Sequence, residues 1–155
     1  MKRPDIGKVA PAFTTFDDTG KKVALKDFRG KTVILYFYPK AMTPGCTVQA
    51  CALRDSKKDL EKYNAIALGI SPDAPARLTK FKERDSLNFT LLADEDHSIA
   101  DKYGVWGPKK FMGKEFDGIH RTTFIIDEKG KLIHIMDKFK TKTHHDDVLA
   151  YLSSL

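Results

Sequence analysis

The stretch TVILYFYPKAMTPGC (residues 32–46) decides the fold. It opens with a continuous apolar run of β-branched and aromatic side chains, which predicts a buried strand that ends at Pro39. Thr43 and Pro44 then have the pattern of a helix start, with Thr as the N-cap and Pro in the first helical position. We therefore expect a buried strand, a short loop and a helix over residues 45–63.

The rest of the chain alternates strand and helix patterns. Strands are predicted over 66–71 and 88–92, a hairpin over 122–127 and 131–136, and helices over 74–85, 96–103 and 144–154. This alternation favours an α/β fold in which a right-handed crossover places strand 33–38 beside strand 66–71. Residues 13–28 predict an N-terminal β-hairpin. The element order resembles a thioredoxin-like fold, with a central mixed sheet flanked by helices and the hairpin as an extension.

Length and composition limit the class of protein. The chain has 155 residues and predicts a single domain spanning residues 5–155. No apolar run approaches the ~20 residues of a membrane span, and residues 1–5 lack the apolar stretch of a secretory signal. We expect a cytoplasmic protein that does not contact a membrane. In that reducing compartment, two closely spaced cysteines indicate catalysis or metal binding rather than a structural disulfide.

The formal net charge is +6, from 27 basic and 21 acidic residues. Lysines cluster only at Lys138, Lys140 and Lys142, before His144 and His145. We expect a solvated surface there, with both histidines exposed where the last helix begins. A docking patch for an acidic partner or a polyanion is the alternative. No binding motif or aromatic stacking platform accompanies the lysines, so we expect no nucleic-acid partner.

Cys46 and Cys51 are the sharpest feature of the sequence. Cys46 falls in the first turn of the predicted helix, where unpaired N–H groups and the helix dipole favour a thiolate. On an ideal helix the Cα atoms of the two cysteines lie about 8.6 Å apart. A disulfide requires about 4.4–6.8 Å. If the two cysteines pair, the first helical turns must therefore unwind. The spacing also argues against a Cys-x-x-Cys exchange site.

Four residues form an apolar stripe along the predicted helix: Cys46, Ala50, Leu53 and Leu60. This stripe predicts that Cys46 faces the core and that Cys51 faces away from it. The alternative for Cys46 alone is a small buried apolar residue. Zinc is the other use of a cysteine pair, but the chain has no second pair and its five histidines form no recognisable ligand set. We expect neither a metal nor another cofactor.

The motif Pro39-x-x-x-Thr43-x-x-Cys46 resembles the active-site signature of the peroxiredoxins. With Cys51, GKVAPAF (residues 7–13) and SPD (residues 71–73), the chain is similar to the bacterioferritin comigratory protein, or peroxiredoxin Q, group of atypical two-cysteine thiol peroxidases over about residues 5–153. The resemblance implies a monomeric cytoplasmic peroxidase for hydrogen peroxide and organic hydroperoxides. Thioredoxin, or alternatively glutaredoxin, is the implied reductant.

On this resemblance, each candidate site residue has a role. Cys46 is the peroxidatic cysteine, and Cys51 resolves its sulfenic acid as an intramolecular Cys46–Cys51 disulfide. Thr43 contacts the peroxide and the thiolate, Pro39 shields the site, and Arg121 stabilises the developing negative charge. One departure from the group is a glutamine at position 49, where many members carry glutamate.

Without the resemblance, plainer interpretations remain open. Thr43 is then only an N-cap, Pro39 a strand terminator and Arg121 a surface or ion-pair residue. A thiol-disulfide reductase or redox-dependent chaperone without peroxide turnover is the alternative function. Three aromatic residues of a Gly/Pro-rich segment are expected to be packing residues in a loop, with an apolar rim for bulky hydroperoxides as the alternative: Trp106, Phe111 and Phe116.

Overall fold

The structure, a computed structural model, describes residues 2–155. The strands are β1 (Thr14–Asp17), β2 (Lys22–Ala24), β3 (Thr32–Phe37), β4 (Ala65–Ser71), β5 (Thr90–Ala93), β6 (Trp106–Phe111), β7 (Lys114–Ile119), β8 (Thr122–Ile126) and β9 (Leu132–Met136). The helices are α1 (Pro44–Asp55), α2 (Lys57–Glu61), α3 (Pro75–Asp85), α4 (Ser98–Lys102) and α5 (His144–Ser153), and a 3-10 turn covers Leu25–Phe28. Across residues 2–155, no helix is both long and apolar enough to cross a bilayer.

The main sheet has seven strands in the order β2-β1-β5-β4-β3-β8-β9. β3 pairs with β4 in parallel, as does β4 with β5, whereas β8 runs antiparallel to β3 and β9 antiparallel to β8. The predicted crossover between the first two long strands and the terminal hairpin are both confirmed. The N-terminal hairpin of β1 and β2 extends the same sheet through β5. The sheet is therefore mixed, as the element order predicts.

Strand β3 is buried along its whole length because helices cover both faces of the sheet. On one face, Leu35 and its alternate neighbours pack with Ile99 of α4 and with Tyr103, which follows that helix. On the other face, Tyr36 packs with Cys46 and the buried side of α1. Ile34 on that face meets Val148 of α5. This two-sided burial fixes the position of the loop that leaves β3 and enters α1.

The helix predicted over residues 45–63 is interrupted at Ser56, which separates α1 from α2. The Ser56 hydroxyl donates to the Ala52 carbonyl oxygen at 2.9 Å, and the Ser56 backbone N–H is shared between the carbonyls of Ala52 and Leu53. A buried serine that bonds back to the preceding turn disturbs regular helix geometry. The expectation of one continuous helix was wrong for this reason, although the predicted apolar stripe is buried throughout.

Residues 106–119 form a two-stranded ribbon, β6 with β7, rather than the expected loop. Its two-residue turn places Met112 and Gly113 at positive φ, 52° and 79°, as in a type I′ hairpin. Phe111 and Phe116 are 67% and 47% exposed, so the expectation that they are packing residues was wrong. Methionine is an unusual residue for a left-handed position, which is why the turn signal was weak.

The histidines at the start of α5 are not surface residues, contrary to the sequence-based expectation. His144 is fully buried and its ring lies 4.5 Å from that of Phe139. The His144 Nε2 atom lies 2.8 Å from the Thr123 hydroxyl of β8. His145 is half-buried, whereas the lysines of the same segment are exposed. Only the lysine part of the predicted basic surface therefore faces solvent.

Candidate active site

Cys46 lies in the first turn of α1, immediately after the loop that leaves β3, and its side chain is 1% exposed. Thr43 occupies the N-cap position, and its carbonyl accepts the N–H of Thr47 at 2.9 Å. The Thr43 hydroxyl donates to the Lys40 carbonyl at 2.9 Å instead of capping the helix. Pro39 is half-buried just beyond the end of β3. The strand, the loop and the helix thus hold the motif residues around one thiol.

Arg121 reaches this thiol from the segment between β7 and β8. Its Nη2 atom lies 3.2 Å from Cys46 Sγ, and its Nη1 atom donates to Gln49 Oε1 at 3.1 Å. The guanidinium is therefore oriented by two contacts on successive turns of α1. Gln49 is buried and supplies an acceptor oxygen, so the amide performs this orienting role without a carboxylate.

The absence of a side chain at Gly45 permits the approach of Arg121. A Cβ atom added at Gly45 would lie 3.1 Å from Arg121 Nη2, a contact so tight that the arginine would have to shift by a few tenths of an ångström. The guanidinium and the N–H groups of the first helical turn both favour negative charge on the Cys46 sulfur. The Cys46 sulfur therefore lies beside the guanidinium and at the positive end of the helix dipole.

A buried carboxylate supports the loop between β3 and α1. Asp73 Oδ2 accepts the backbone N–H of Ala41 at 2.8 Å and the Ser71 hydroxyl at 2.7 Å. Arg77 lies 3.2 Å from the second carboxylate oxygen and donates to the Ala41 carbonyl at 2.9 Å. We did not predict from the sequence that Asp73 supports this loop. The SPD motif at the end of the neighbouring parallel strand was the signal that could have found it.

Cys51 lies in the same uninterrupted helix as Cys46, and both thiols are free. Cys51 is half-buried whereas Cys46 is buried, so the predicted orientations of the two side chains are confirmed. Burial raises the pKa of the Cys51 thiol, against the opposing effect of the Arg54 guanidinium. The two thiols therefore have different surroundings in spite of their short separation.

His144 is a further buried group close to the site. Burial lowers its pKa to about 4, and the positive charges of His145 and Arg121 add to that effect. The ring packs against Tyr36, which belongs to the same apolar cluster as Cys46. Among residues 2–155, no three His, Cys, Asp or Glu side chains come together as a metal site.

A buried thiol at a helix N-terminus, hydrogen-bonded to arginine at the carboxyl edge of a parallel strand pair, is suited to nucleophilic attack on a small electron-poor atom. The fold and the site together define the class of thioredoxin-fold thiol peroxidases. A family model described as the AhpC/TSA family matches residues 6–135. The chain therefore belongs to the AhpC/TSA family, and its identity of more than half to Bcp peroxiredoxins places it in the Bcp and peroxiredoxin Q group of that family.

The similarity to known proteins extends over nearly the whole chain. A Haemophilus influenzae protein named as a Bcp peroxiredoxin is 57% identical over 155 residues, which is all of both chains. Peroxiredoxin Bcp of Escherichia coli K12 is 56% identical over 94% of each chain. The crystal structure of peroxidoxin BcpB from Mycobacterium tuberculosis superimposes with a TM-score of 0.85 at 34% identity and covers 97% of each chain. The predicted fold class and the predicted peroxidase function are confirmed.

Proposed function

We propose that this thiol peroxidase uses Cys46 as its peroxidatic cysteine and Arg121 as the cation that stabilises charge in the peroxide step. The observation that carries the proposal is the 3.2 Å contact between Arg121 Nη2 and Cys46 Sγ at the start of α1. An arginine in this position favours the thiolate before the reaction and the leaving oxygen during it.

In the first step, the Cys46 thiolate attacks the nearer peroxide oxygen. The S–O bond forms as the O–O bond breaks, Cys46 becomes a sulfenic acid, and the departing hydroxide or alkoxide takes up a proton to give water or an alcohol. The Thr43 hydroxyl has its own proton committed to the Lys40 carbonyl, so its lone pairs remain to accept a hydrogen bond from the peroxide. Pro39 limits access of water to the sulfur.

In the second step, Cys51 condenses with the sulfenic acid to give the intramolecular disulfide. Both cysteines lie within α1, where the geometry of an ideal helix keeps their Cα atoms about 8.6 Å apart, so the turns between them must open. Opening exposes the disulfide to an external dithiol. We propose thioredoxin as that reductant, with glutaredoxin as the alternative, and a monomeric, cytoplasmic enzyme whose single domain spans residues 5–155.

Mass spectrometry after one equivalent of hydrogen peroxide tests the assignment of the two cysteines. The wild type is expected to show a Cys46–Cys51 disulfide, and Cys51→Ser a sulfenic acid on Cys46. Oxidation confined to Cys51 would refute this assignment. Insulin reduction without peroxide consumption, measured separately, would favour the thiol-disulfide reductase.

Hydrogen exchange tests the predicted opening of the helix. Residues 44–51 are expected to be helical in the reduced protein, so that the amides of residues 47–51 are protected and lose protection after oxidation, while those of α3 (Pro75–Asp85) serve as the internal control. A regular, protected helix across both cysteines in the oxidised protein would refute the unwinding step.

A further inference from the structure

A second arginine contacts the second thiol. Arg54 lies three residues after Cys51 in α1, so the two side chains are neighbours on the helix surface. Arg54 Nη1 lies 3.7 Å from Cys51 Sγ, within hydrogen-bonding distance for a sulfur acceptor. The helix therefore carries two thiols, each next to its own guanidinium, and the peroxide step uses only one of these pairs.

Arg54 is held in place by one group of its own helix and by two groups outside it. The same Nη1 atom donates to the Asp85 carbonyl at the end of α3, at 2.6 Å. Its Nε atom forms an ion pair with Asp55 at 2.9 Å. The Arg54 carbonyl accepts the side-chain amide of Asn88 at 3.1 Å. A guanidinium tethered in this way is pre-oriented at the sulfur, unlike an arginine that extends freely into solvent.

We propose that Arg54 is the catalytic arginine of the resolving step, and this inference rests on the proposed function of Cys46 and Cys51. Arg54 stabilises the Cys51 thiolate, whose sulfur attacks the sulfur of the Cys46 sulfenic acid. The S–S bond forms as the S–O bond breaks, and the departing hydroxide takes up the proton that Cys51 released, giving water. The Cys46 sulfur is reduced and the Cys51 sulfur oxidised, so no further reactant is needed.

The charges around Cys51 make Arg54 the main group that favours its anion. Burial raises the pKa of the Cys51 thiol, and Arg54 is the largest opposing influence. The carboxylates of Asp85 and Asp55 act in the same direction as burial, and Arg84 acts weakly against it. Removal of the Arg54 charge therefore leaves Cys51 among influences that mostly keep it protonated and unreactive.

The contacts of Arg54 are compatible with opening of the N-terminal turns of the helix. The turns that separate the two sulfurs lie on the N-terminal side of Cys51, whereas Arg54 and its link to the Asp85 carbonyl lie on the C-terminal side. Opening of the N-terminal turns breaks none of the Arg54 contacts. The arginine thus keeps the Cys51 thiolate in place while the Cys46 end of the helix moves.

Rapid chemical quench with thiol alkylation and mass spectrometry tests the proposal on the full-length reduced protein. One equivalent of hydrogen peroxide starts the reaction, and sulfenic acid and disulfide are followed separately from about pH 6 to pH 9 in wild type, Arg54→Met, Arg54→Gln and Arg54→Lys. Arg84→Met is the matched control. It removes a nearby arginine whose contacts run to Thr47 and Asp85 rather than to the thiol.

We expect Arg54→Met and Arg54→Gln to form the sulfenic acid at the wild-type rate. At neutral pH they should form the disulfide about tenfold more slowly, with the midpoint of the pH profile moved to higher pH. Arg54→Lys should recover part of the rate, and Arg84→Met should change it by less than about twofold. The Arg54 variants should also accumulate sulfinic acid at excess peroxide, because the sulfenic acid persists.

Three results would overturn the proposal. One is a wild-type disulfide rate in both uncharged variants. Another is a slower rate with an unchanged pH midpoint, which would mean that Arg54 only braces the helix. The third is an equal effect of Arg84→Met. A wild-type protein that forms no sulfenic acid would instead refute the proposed function itself, so the two failures are distinguishable.

Discussion

The two ends of α1 hold chemically identical side chains in opposite surroundings. At the N-terminal end Cys46 is buried, with Arg121 reaching it from a distant segment of the chain. One and a half turns later Cys51 is half-buried, and its arginine comes from the same helix. The first thiol has a site built by long-range contacts, whereas the second has a local one.

This difference in surroundings corresponds to the different reactions of the two thiols. A thiol that must react with a small, dilute oxidant benefits from a rigid, enclosed site in which its partner cations are fixed beforehand. A thiol that must then meet its neighbour and later an external dithiol requires access, and the turns between the two thiols must be able to open. The comparison predicts that substitutions at the N-terminal end affect the peroxide step and that substitutions around Cys51 affect the later steps.

Replacement of each cysteine by serine should have the largest effects, and these effects should distinguish the roles of the two thiols. Cys46→Ser should lower peroxide consumption by at least about 10³-fold, because a hydroxyl cannot replace the thiolate nucleophile. Cys51→Ser should retain the first oxidation at the wild-type rate and lose turnover with thioredoxin. Stopped-flow measurement of a single turnover, beside steady-state assays, checks both. Equal loss of the first oxidation in the two variants would contradict the division.

Arg121→Met should slow the peroxide step by about 10²–10³-fold, the usual cost of losing a group that stabilises developing charge. The effect should be confined to that step, because the contacts of Arg121 are to Cys46 and Gln49 at the N-terminal end. Pre-steady-state rates of sulfenic acid formation and of disulfide reduction by thioredoxin are the measurements. Equal slowing of both half-reactions would rule out a specific role for Arg121.

Local patterns in the sequence were sufficient to predict the elements that carry the thiols. The apolar run of β3, the Thr-Pro start of α1 and the helical stripe of four buried residues depend on neighbours in the chain. Contacts between segments that are far apart in the sequence could not be predicted from these local patterns. Arg121 meets Cys46 across 75 residues and could be proposed only from the family resemblance. The SPD motif was a signal for the Asp73 support of the loop, whereas the tethering of Arg54 to α3 has no local signature.

Three structural features that differ from the prediction each have a separate physical cause. The break at Ser56 results from a side-chain hydrogen bond that competes with the helix. The β6–β7 ribbon turns through a methionine at positive φ, which turn statistics do not favour. His144 was expected on the surface as a residue at the entry of the last helix, yet its Nε2 atom contacts a buried hydroxyl and its ring packs against an aromatic neighbour.

The burial of His144 predicts a pH dependence of stability. Its pKa of about 4 in the folded protein is below the ordinary value of 6.5, so the unfolded chain binds a proton between these values that the folded protein excludes. Stability should therefore be complete above about pH 6.5 and fall by about 3 kcal/mol as the pH decreases to 4.

Urea unfolding of wild type and His144→Gln at several pH values measures this effect. The variant should lose most of the slope of unfolding free energy against pH, whereas His97→Gln, a substitution at the half-buried N-cap of α4, should keep it. An unchanged slope in His144→Gln would show that another group titrates.

The smallest effect concerns Gly45 and tests how rigid the Cys46 end of the helix has to be. In Gly45→Ala the new methyl group would lie 3.1 Å from Arg121 Nη2, so the guanidinium must retreat from the sulfur by a few tenths of an ångström. A displacement of this size should slow sulfenic acid formation by about three- to tenfold. Alanine has a higher helix propensity than glycine by about 1 kcal/mol, so the melting temperature should not decrease.

The same substitution in an Arg121→Met background should produce no further slowing, because the two changes act through one contact. If the effects of the two substitutions are instead additive, Gly45 acts on the helix and not on the arginine, and the enclosed end of α1 tolerates more movement than the comparison of the two thiols implies.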